Sequence, residues 1–226
     1  LASYTWSHSI DISSNETSLT LPGVTADPRL DRASSDFDVR HSFSAGLTYD
    51  IPKTLPHGFL DRVTRNWSVD VLFRSRTATA VNILTGTRLF GVFNVLRPDL
   101  ISGVPQYLED PTVAGGRRIN AAAFSTPAPN RQGNLGRNAL RGFSATQLDL
   151  GLHRRFALSE RFAVQFRAEF FNILNHPNFA DPESNLSVPG LFGRSTMMLG
   201  RSLGGLNPLY QIGGPRSIQL AMRLQF

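Results

Sequence analysis

Hydrophobic and polar residues take turns along several stretches of this chain. The clearest is the last, Ser217 to Phe226, where Ile218, Leu220, Met222, Leu224 and Phe226 alternate with Ser217, Gln219, Ala221, Arg223 and Gln225. Successive side chains of a strand point to opposite faces, so period-two alternation predicts a strand with one oily and one wet face. The same pattern recurs upstream. Val39, His41, Phe43, Ala45, Leu47, Tyr49 and Ile51 alternate with Arg40, Ser42, Ser44, Gly46, Thr48 and Asp50. Trp67, Val69, Val71 and Phe73 alternate with Ser68, Asp70, Leu72 and Arg74, and Leu148, Leu150 and Leu152 with Asp149, Gly151 and His153. Phe162, Val164, Phe166, Ala168 and Phe170 then alternate with Arg161, Ala163, Gln165, Arg167 and Glu169. With a first strand through Tyr4 and Trp6, the predicted strands cover about 1–10, 37–51, 66–83, 145–156, 160–172 and 217–226.

The connections differ in size in a regular order. They run long (Asp11 to Asp36), short (Pro52 to Arg65), very long (Leu84 to Ser144), tight (Ala157 to Ser159) and long (Ile173 to Arg216). An up-and-down meander with that order carries every long loop at one end and every short one at the other, the asymmetry of outer-membrane barrels. Ten residues at about 3.3 Å each, tilted by roughly 40°, also match the apolar band such a barrel presents to lipid. The expected fold is therefore all-β: a segment of an antiparallel up-and-down transmembrane β-barrel with about six long strands and long extracellular loops. Because the smallest membrane barrels have about eight strands, the segment is expected to be an open sheet, a fragment of something longer.

Alternation assigns faces. The lumen-facing set is expected to be Arg40, Asp50, Asp70, Arg74, Asp149, His153, Arg167, Glu169, Gln219 and Arg223, and the lipid-facing set Phe43, Leu47, Val71, Phe73, Leu150, Val164, Phe166, Leu220 and Leu224. Tyr49, Trp67, Phe156, Phe162 and Phe226 all fall near the short-turn edge, where a periplasmic aromatic girdle belongs. For the hairpin across Ala157 to Ser159, a register setting Asp149 opposite Arg167 is expected over one setting it against Glu169, since like charges directly opposite are unfavourable.

Composition changes this picture little. No apolar run reaches the eighteen or so residues of a membrane helix, but a barrel wall hides its apolar residues at alternate positions. The net charge of +6 and a pI near 10.6 raise the question of nucleic acid, yet the basic residues are scattered and interleaved with Asp rather than gathered into a stripe. Lys53 is the only lysine among the 23. No nucleic-acid partner is expected. Cysteine is absent, so neither a disulfide frame nor a thiolate metal site exists.

Several stretches resemble a known family. They are Tyr4-Thr-Trp-Ser-His-Ser-Ile-Asp11, Asp36-Phe-Asp-Val-Arg-His-Ser-Phe43, Gly133-Asn-Leu-Gly-Arg-Asn-Ala-Leu-Arg-Gly142, Phe166-Arg-Ala-Glu-Phe-Phe-Asn-Ile-Leu-Asn-His-Pro-Asn-Phe179 and the closing Arg216 to Phe226. Together they resemble the carboxy-terminal barrel of Oar-like TonB-dependent outer-membrane receptors of the type found in Acidobacteria. The resemblance implies a 22-stranded barrel occluded by an amino-terminal plug and energised through TonB, taking up a scarce substrate across the outer membrane of a Gram-negative bacterium. The plug and the TonB box would lie in an amino-terminal region missing from this chain. Outer-membrane lipid and lipopolysaccharide would surround the wall, and the barrel-assembly machinery would engage the strand ending at Phe226. The other readings are a surface-exposed adhesive or structural barrel without active transport, and a secreted β-sandwich binding module.

Catalytic chemistry is not expected. No Gly-x-Ser-x-Gly elbow places a nucleophile, and no carboxylate pair stands out. His8, His41, His57, His153 and His176 lack paired metal-ligand spacing. No cofactor is expected, although Asp27, Asp31, Asp36 and Asp38 form a run of the kind that can cup calcium. The candidate extracellular ligand contacts are Arg117, Arg118, Arg131, Arg137 and Arg141, which would make the mouth of the long loops cationic.

Overall fold

The computed structural model describes residues 1–14, 27–52, 66–86, 96–129, 131–159, 161–202 and 213–226. In chain order its strands are β1 (Ala2–Trp6), β2 (Ile10–Asp11), β3 (Ala33–Ser34), β4 (His41–Asp50), β5 (Trp67–Arg76), β6 (Ala80–Val81) and β7 (Asp99–Leu100). They continue with β8 (Tyr107–Glu109), β9 (Arg117–Ile119), β10 (Phe124–Ser125), β11 (Leu140–Arg141), β12 (Ala145–Ala157), β13 (Ala163–Phe171) and β14 (Ser217–Gln225). The fold is all-β and antiparallel, and no helix among the described residues is long and apolar enough to cross a membrane.

The six alternating segments make one open sheet in the order β1-β4-β5-β12-β13-β14. Directly opposite residues share a face, so the registers extend one face across all six strands. Tyr4 stands opposite Phe43, Leu47 opposite Val71, Val71 opposite Leu150, Leu150 opposite Phe170 and Phe170 opposite Ile218. The other face carries Thr48 opposite Asp70, Asp70 opposite Gly151, Gly151 opposite Glu169 and Glu169 opposite Gln219. The apolar face has almost no protein cover: Leu47 is 62% exposed, Leu220 66% and Met222 75%. A continuous oily face of this extent needs an apolar phase against it.

Three strands, β1, β4 and β5, are shorter than the alternation predicted at the end with the long connections, while β13 begins three residues late at the tight connection and β12 runs one residue further than expected. Residues 37–40 precede β4 instead of joining it, and Val81 and Ile83 leave the line of β5. The competing claim comes from a second body. Val81, Ile83, Ile119, Ala123, Phe124, Leu135, Leu140 and Phe192 form a buried core, with Leu100, Val104, Tyr107 and Leu186 packed around it. Ile83 is fully buried and Ile119 and Leu140 nearly so. Four two-stranded pieces, β2-β3, β6-β11, β7-β10 and β8-β9, frame this cap. It draws mainly on the two longest connections, which meet where the Leu84 backbone N–H donates to the Ser184 carbonyl and the Ile119 N–H to the Gly193 carbonyl. Gly193 has a positive φ of 76°, and a β-carbon there would collide with the Ile119 carbonyl. Glycine is the residue that meets both conditions.

The hairpin register departs from expectation. His153, not Asp149, stands opposite Arg167, and Gly151 opposite Glu169. The last pair is Ala157 with Ala163, so the connection is wider than the predicted turn. The Leu158 and Ser159 backbone N–H groups both donate to the Phe162 carbonyl, and Ser159 Oγ accepts from the Phe162 N–H at 3.1 Å. Asp149 has two neighbouring strands, β5 and β13, from which to draw a cation. Asp149 finds its cation on the other side, in Arg74 of β5 at 2.7 Å.

Candidate functional site

The polar face of the sheet and the cap above it hold the candidate site. Along the face, Thr48 Oγ1 donates to Asp70 Oδ1 at 2.7 Å, and His153 Nδ1 lies 3.1 Å from Asp70 Oδ2. Arg74 Nη2 meets Asp149 Oδ2 at 2.7 Å, and Arg167 Nη2 meets Glu169 Oε1 at 3.0 Å. Ser68 donates to Asp50. Cations and anions alternate, so the face is wet but close to neutral. Part of this face borders a hollow of about 540 Å³, lined by Asp70, Arg74, Asp149, Gly151, Arg167 and Glu169 among others. The absence of side chains at Gly46 and Gly151 leaves room for it: a β-carbon at Gly46 would meet nothing closer than 4.0 Å.

All of the residues expected to face the lumen lie on this polar face except Arg40. It sits before β4, bound to Asp38 at 2.9 Å at the edge of the cap. The lipid-facing set lies on the opposite face, as the registers require. Tyr49, Trp67, Phe156, Phe162 and Phe226 gather at the short-connection edge of that apolar face, next to pairs such as Tyr49 with Val69 and Phe156 with Val164. The connection itself, 53–65, lies outside the described residues.

The upper end of the polar face is closed by a knot of amides. Gln147 Nε2 and the Asn172 backbone N–H donate to Asp149 Oδ1 at 2.7 and 2.8 Å, while the Gly213 N–H donates to Gln147 Oε1 at 2.8 Å. The Asn172 side chain donates to the carbonyls of His176 and Gly214 at 2.9 Å each. Asn178 Oδ1 accepts from the Thr146 N–H and its Nδ2 donates to the Thr146 carbonyl. This explains the Phe171 to Phe179 run. Asn172 and Asn175 hold φ of 49° and 51°, which asparagine tolerates better than most residues. Their amides satisfy backbone that the turn leaves buried. His176 contributes its carbonyl and N–H to that turn.

The five arginines expected to make a cationic mouth are engaged inside the cap. Arg117 donates to the Gly142 carbonyl and stacks over Tyr107 and Phe143 at 5.0 and 5.2 Å. Arg118 meets Asp110 at 3.0 Å, and Arg131 forms a two-pronged pair with Asp99. Arg137 binds Asp11 and the Asp31 carbonyl, and Arg141 meets Asp38 at 2.7 Å. Four of the five charges are balanced by a carboxylate within the protein, and Arg117 is held by a carbonyl and two aromatic faces. The acidic run is spent the same way: Asp31 on Arg97, Asp36 on Asn138 and Arg137, and Asp38 on Arg40 and Arg141. Asp27 caps the short helical turn Pro28–Asp31. No calcium cup forms from these four carboxylates.

Ionisation follows these contacts. Burial alone would raise the Asp38 carboxyl, but hydrogen bonds from Arg141, the Ser9 N–H and Arg40 outweigh it and lower the pKa from 3.8 to about 2. Asp99 is held low chiefly by Arg131, and Asp110 chiefly by the Thr112 hydroxyl. These are the signatures of structural ion pairs in the cap.

Pattern reading missed one further residue. Arg154 occupies an apolar-face position of β12, opposite Trp67, with its guanidinium 5.5 Å from the Trp67 ring and 4.4 Å from the Phe156 ring. The signal for it was a cation standing in the oily phase of an otherwise strict alternation.

A family model described as an outer membrane beta barrel domain matches residues 1–219. No curated protein and no solved structure matches the chain.

Proposed function

The chain belongs to the outer membrane beta barrel domain family, and from that premise we propose that it supplies wall and outer cap to a TonB-dependent receptor that takes up a scarce substrate. Its place is the outer membrane; in this reading the membrane is that of a Gram-negative bacterium of the Oar-like receptor type. The polar face lines the lumen, the apolar face meets lipid and lipopolysaccharide, the short connections are periplasmic and the cap is extracellular. The observation that carries the reading is the cap itself. The longest connections fold into a body with its own core and are tied by Asn172, Gly213 and Asp149 to the polar face, above the hollow. Ordered long loops over one end of a polar wall are what a gated uptake path requires and what a passive wall does not.

TonB would act through an amino-terminal region outside this chain, and the barrel-assembly machinery through β14. The test is in vivo cross-linking of the full-length protein to TonB, with and without a protonophore. Capture that depends on the proton gradient is the expected result. A protein that assembles in the outer membrane but never captures TonB would be an adhesive or structural barrel instead.

A further inference from the structure

The apolar face of the six strands carries one permanently charged side chain, Arg154. A charge at mid-bilayer on a barrel's lipid face costs roughly 2–4 kcal/mol, falling towards 0–1 at the interfaces. Arg154 stands near the interface. Its backbone pairs with Trp67, the first residue of β5, and Ala157 ends its own strand three positions on. The side chain leans further the same way. Its guanidinium is nearer the ring of Phe156, two residues closer to the turn, than that of Trp67 directly opposite, 4.4 against 5.5 Å. That is the posture of a cation whose stem lies along an oily surface while its head reaches for the polar layer. Two aromatic faces fix the plane of the guanidinium, and a planar fork held in place is suited to a phosphate. Tyr49, Phe156, Phe162 and Phe226 at the same edge are all substantially exposed, so they offer apolar cover to the glycerol and first acyl carbons of one lipid.

We propose that Arg154, clamped between Trp67 and Phe156, is a binding site for the headgroup phosphate of a periplasmic-leaflet phospholipid. The site rests on the reading of this face as the lipid side and of the short connections as periplasmic, and it names a ligand which that reading does not. It would seat the barrel at a fixed depth by holding a lipid instead of merely tolerating one.

Native mass spectrometry of the full-length protein, purified in mild detergent and stripped of lipid, tests this with added phosphatidylethanolamine. Dioleoylglycerol serves as the phosphate-free control, lipid A as the outer-leaflet control and inorganic phosphate as the competitor. The wild type is expected to retain phosphatidylethanolamine over dioleoylglycerol, Arg154→Gln to lose about tenfold in retention, and Arg154→Lys and Trp67→Leu to fall between. Heat-modifiable mobility on gels confirms that each variant is assembled, and if Arg154→Gln fails to assemble, Trp67→Leu carries the comparison. Equal retention by an assembled Arg154→Gln, equal retention of dioleoylglycerol, or full competition by inorganic phosphate would overturn the site. Preference for lipid A would overturn it too, by moving the edge to the outer leaflet. A nitroxide at Leu152→Cys separates the two failures: lipid contact there with no Arg154 dependence sinks the site and leaves the lipid face standing.

Discussion

The sheet and the cap are made from the same residue types and solve opposite problems. In the sheet the oily side chains have no protein partner: Leu220 and Met222 on β14 are 66% and 75% exposed, and the polar face is the one knitted together by side-chain bonds. In the cap the arrangement is that of a soluble domain, with Ile83, Ile119 and Leu140 buried and ion pairs around them. The difference teaches that one chain can fold against two solvents. Water organises the cap through the hydrophobic effect. The sheet relies on backbone pairing, since lipid rewards an apolar surface wherever it points.

The largest expected effect lies in the cap. Arg97 and Asp31 are 4% and 1% exposed, and Arg97 also donates to the Leu135 carbonyl at 3.0 Å. Removing one partner strands the other's charge, so Arg97→Met is expected to destabilise the cap by roughly 3–5 kcal/mol. The apolar pair Arg97→Met with Asp31→Leu should recover most of the loss. Limited proteolysis of the full-length protein in membranes measures both, and heat-modifiable mobility of the barrel should not change. Next is Leu140→Ala, expected to cost the cap about 3 kcal/mol through lost burial and the cavity left behind. Leu220→Ala should leave proteolysis of the cap untouched, because Leu220 lies exposed on the apolar face of the sheet and outside the cap core.

A charge reverses the comparison. Leu220→Arg, in the middle of β14, is expected to destabilise the membrane-inserted barrel by roughly 2 kcal/mol, while Gln219→Arg one position away stays near neutral. Urea titration of refolding into vesicles would show it; equal costs would mean that the two faces are not separated into lipid and water.

The smallest effect is that of acid. Asp38 has its folded pKa depressed to about 2, so its contribution is fully present above about pH 4 and is lost as pH falls through about 2. Amide exchange in residues 28–38 and 137–142 is expected to accelerate across that window, with β12 and β13 unaffected. In Asp38→Asn the acid-dependent step should vanish.

Much of this was legible in the residues. The six strands and the face of each side chain follow from alternation, because strand geometry is local and the two phases on either side of a membrane wall impose the same period on every strand. That Tyr49, Trp67, Phe156 and Phe162 share one edge of the apolar face was legible for the same reason. The hairpin register was not, since the choice between Arg74 and Arg167 as the partner of Asp149 depends on which strand lies on the far side. Nor were the uses of Arg117, Arg118, Arg131, Arg137 and Arg141, whose partners are up to 126 positions away, as Arg137 is from Asp11.

By itself the sequence determined that the long connections share one end of an up-and-down sheet, that one face is apolar throughout, and that the chain makes no membrane helix. Only the tertiary structure decided that those connections are a folded body. The cap core draws on Val81, Ile119, Leu135 and Phe192, positions with no common period. A core of that kind is specified by shape and burial among distant segments, and no local pattern records it. The same holds for Arg154: its residue type and position were visible, but only the neighbouring strands put Trp67 beside it and gave the charge a place at the edge of the oily face.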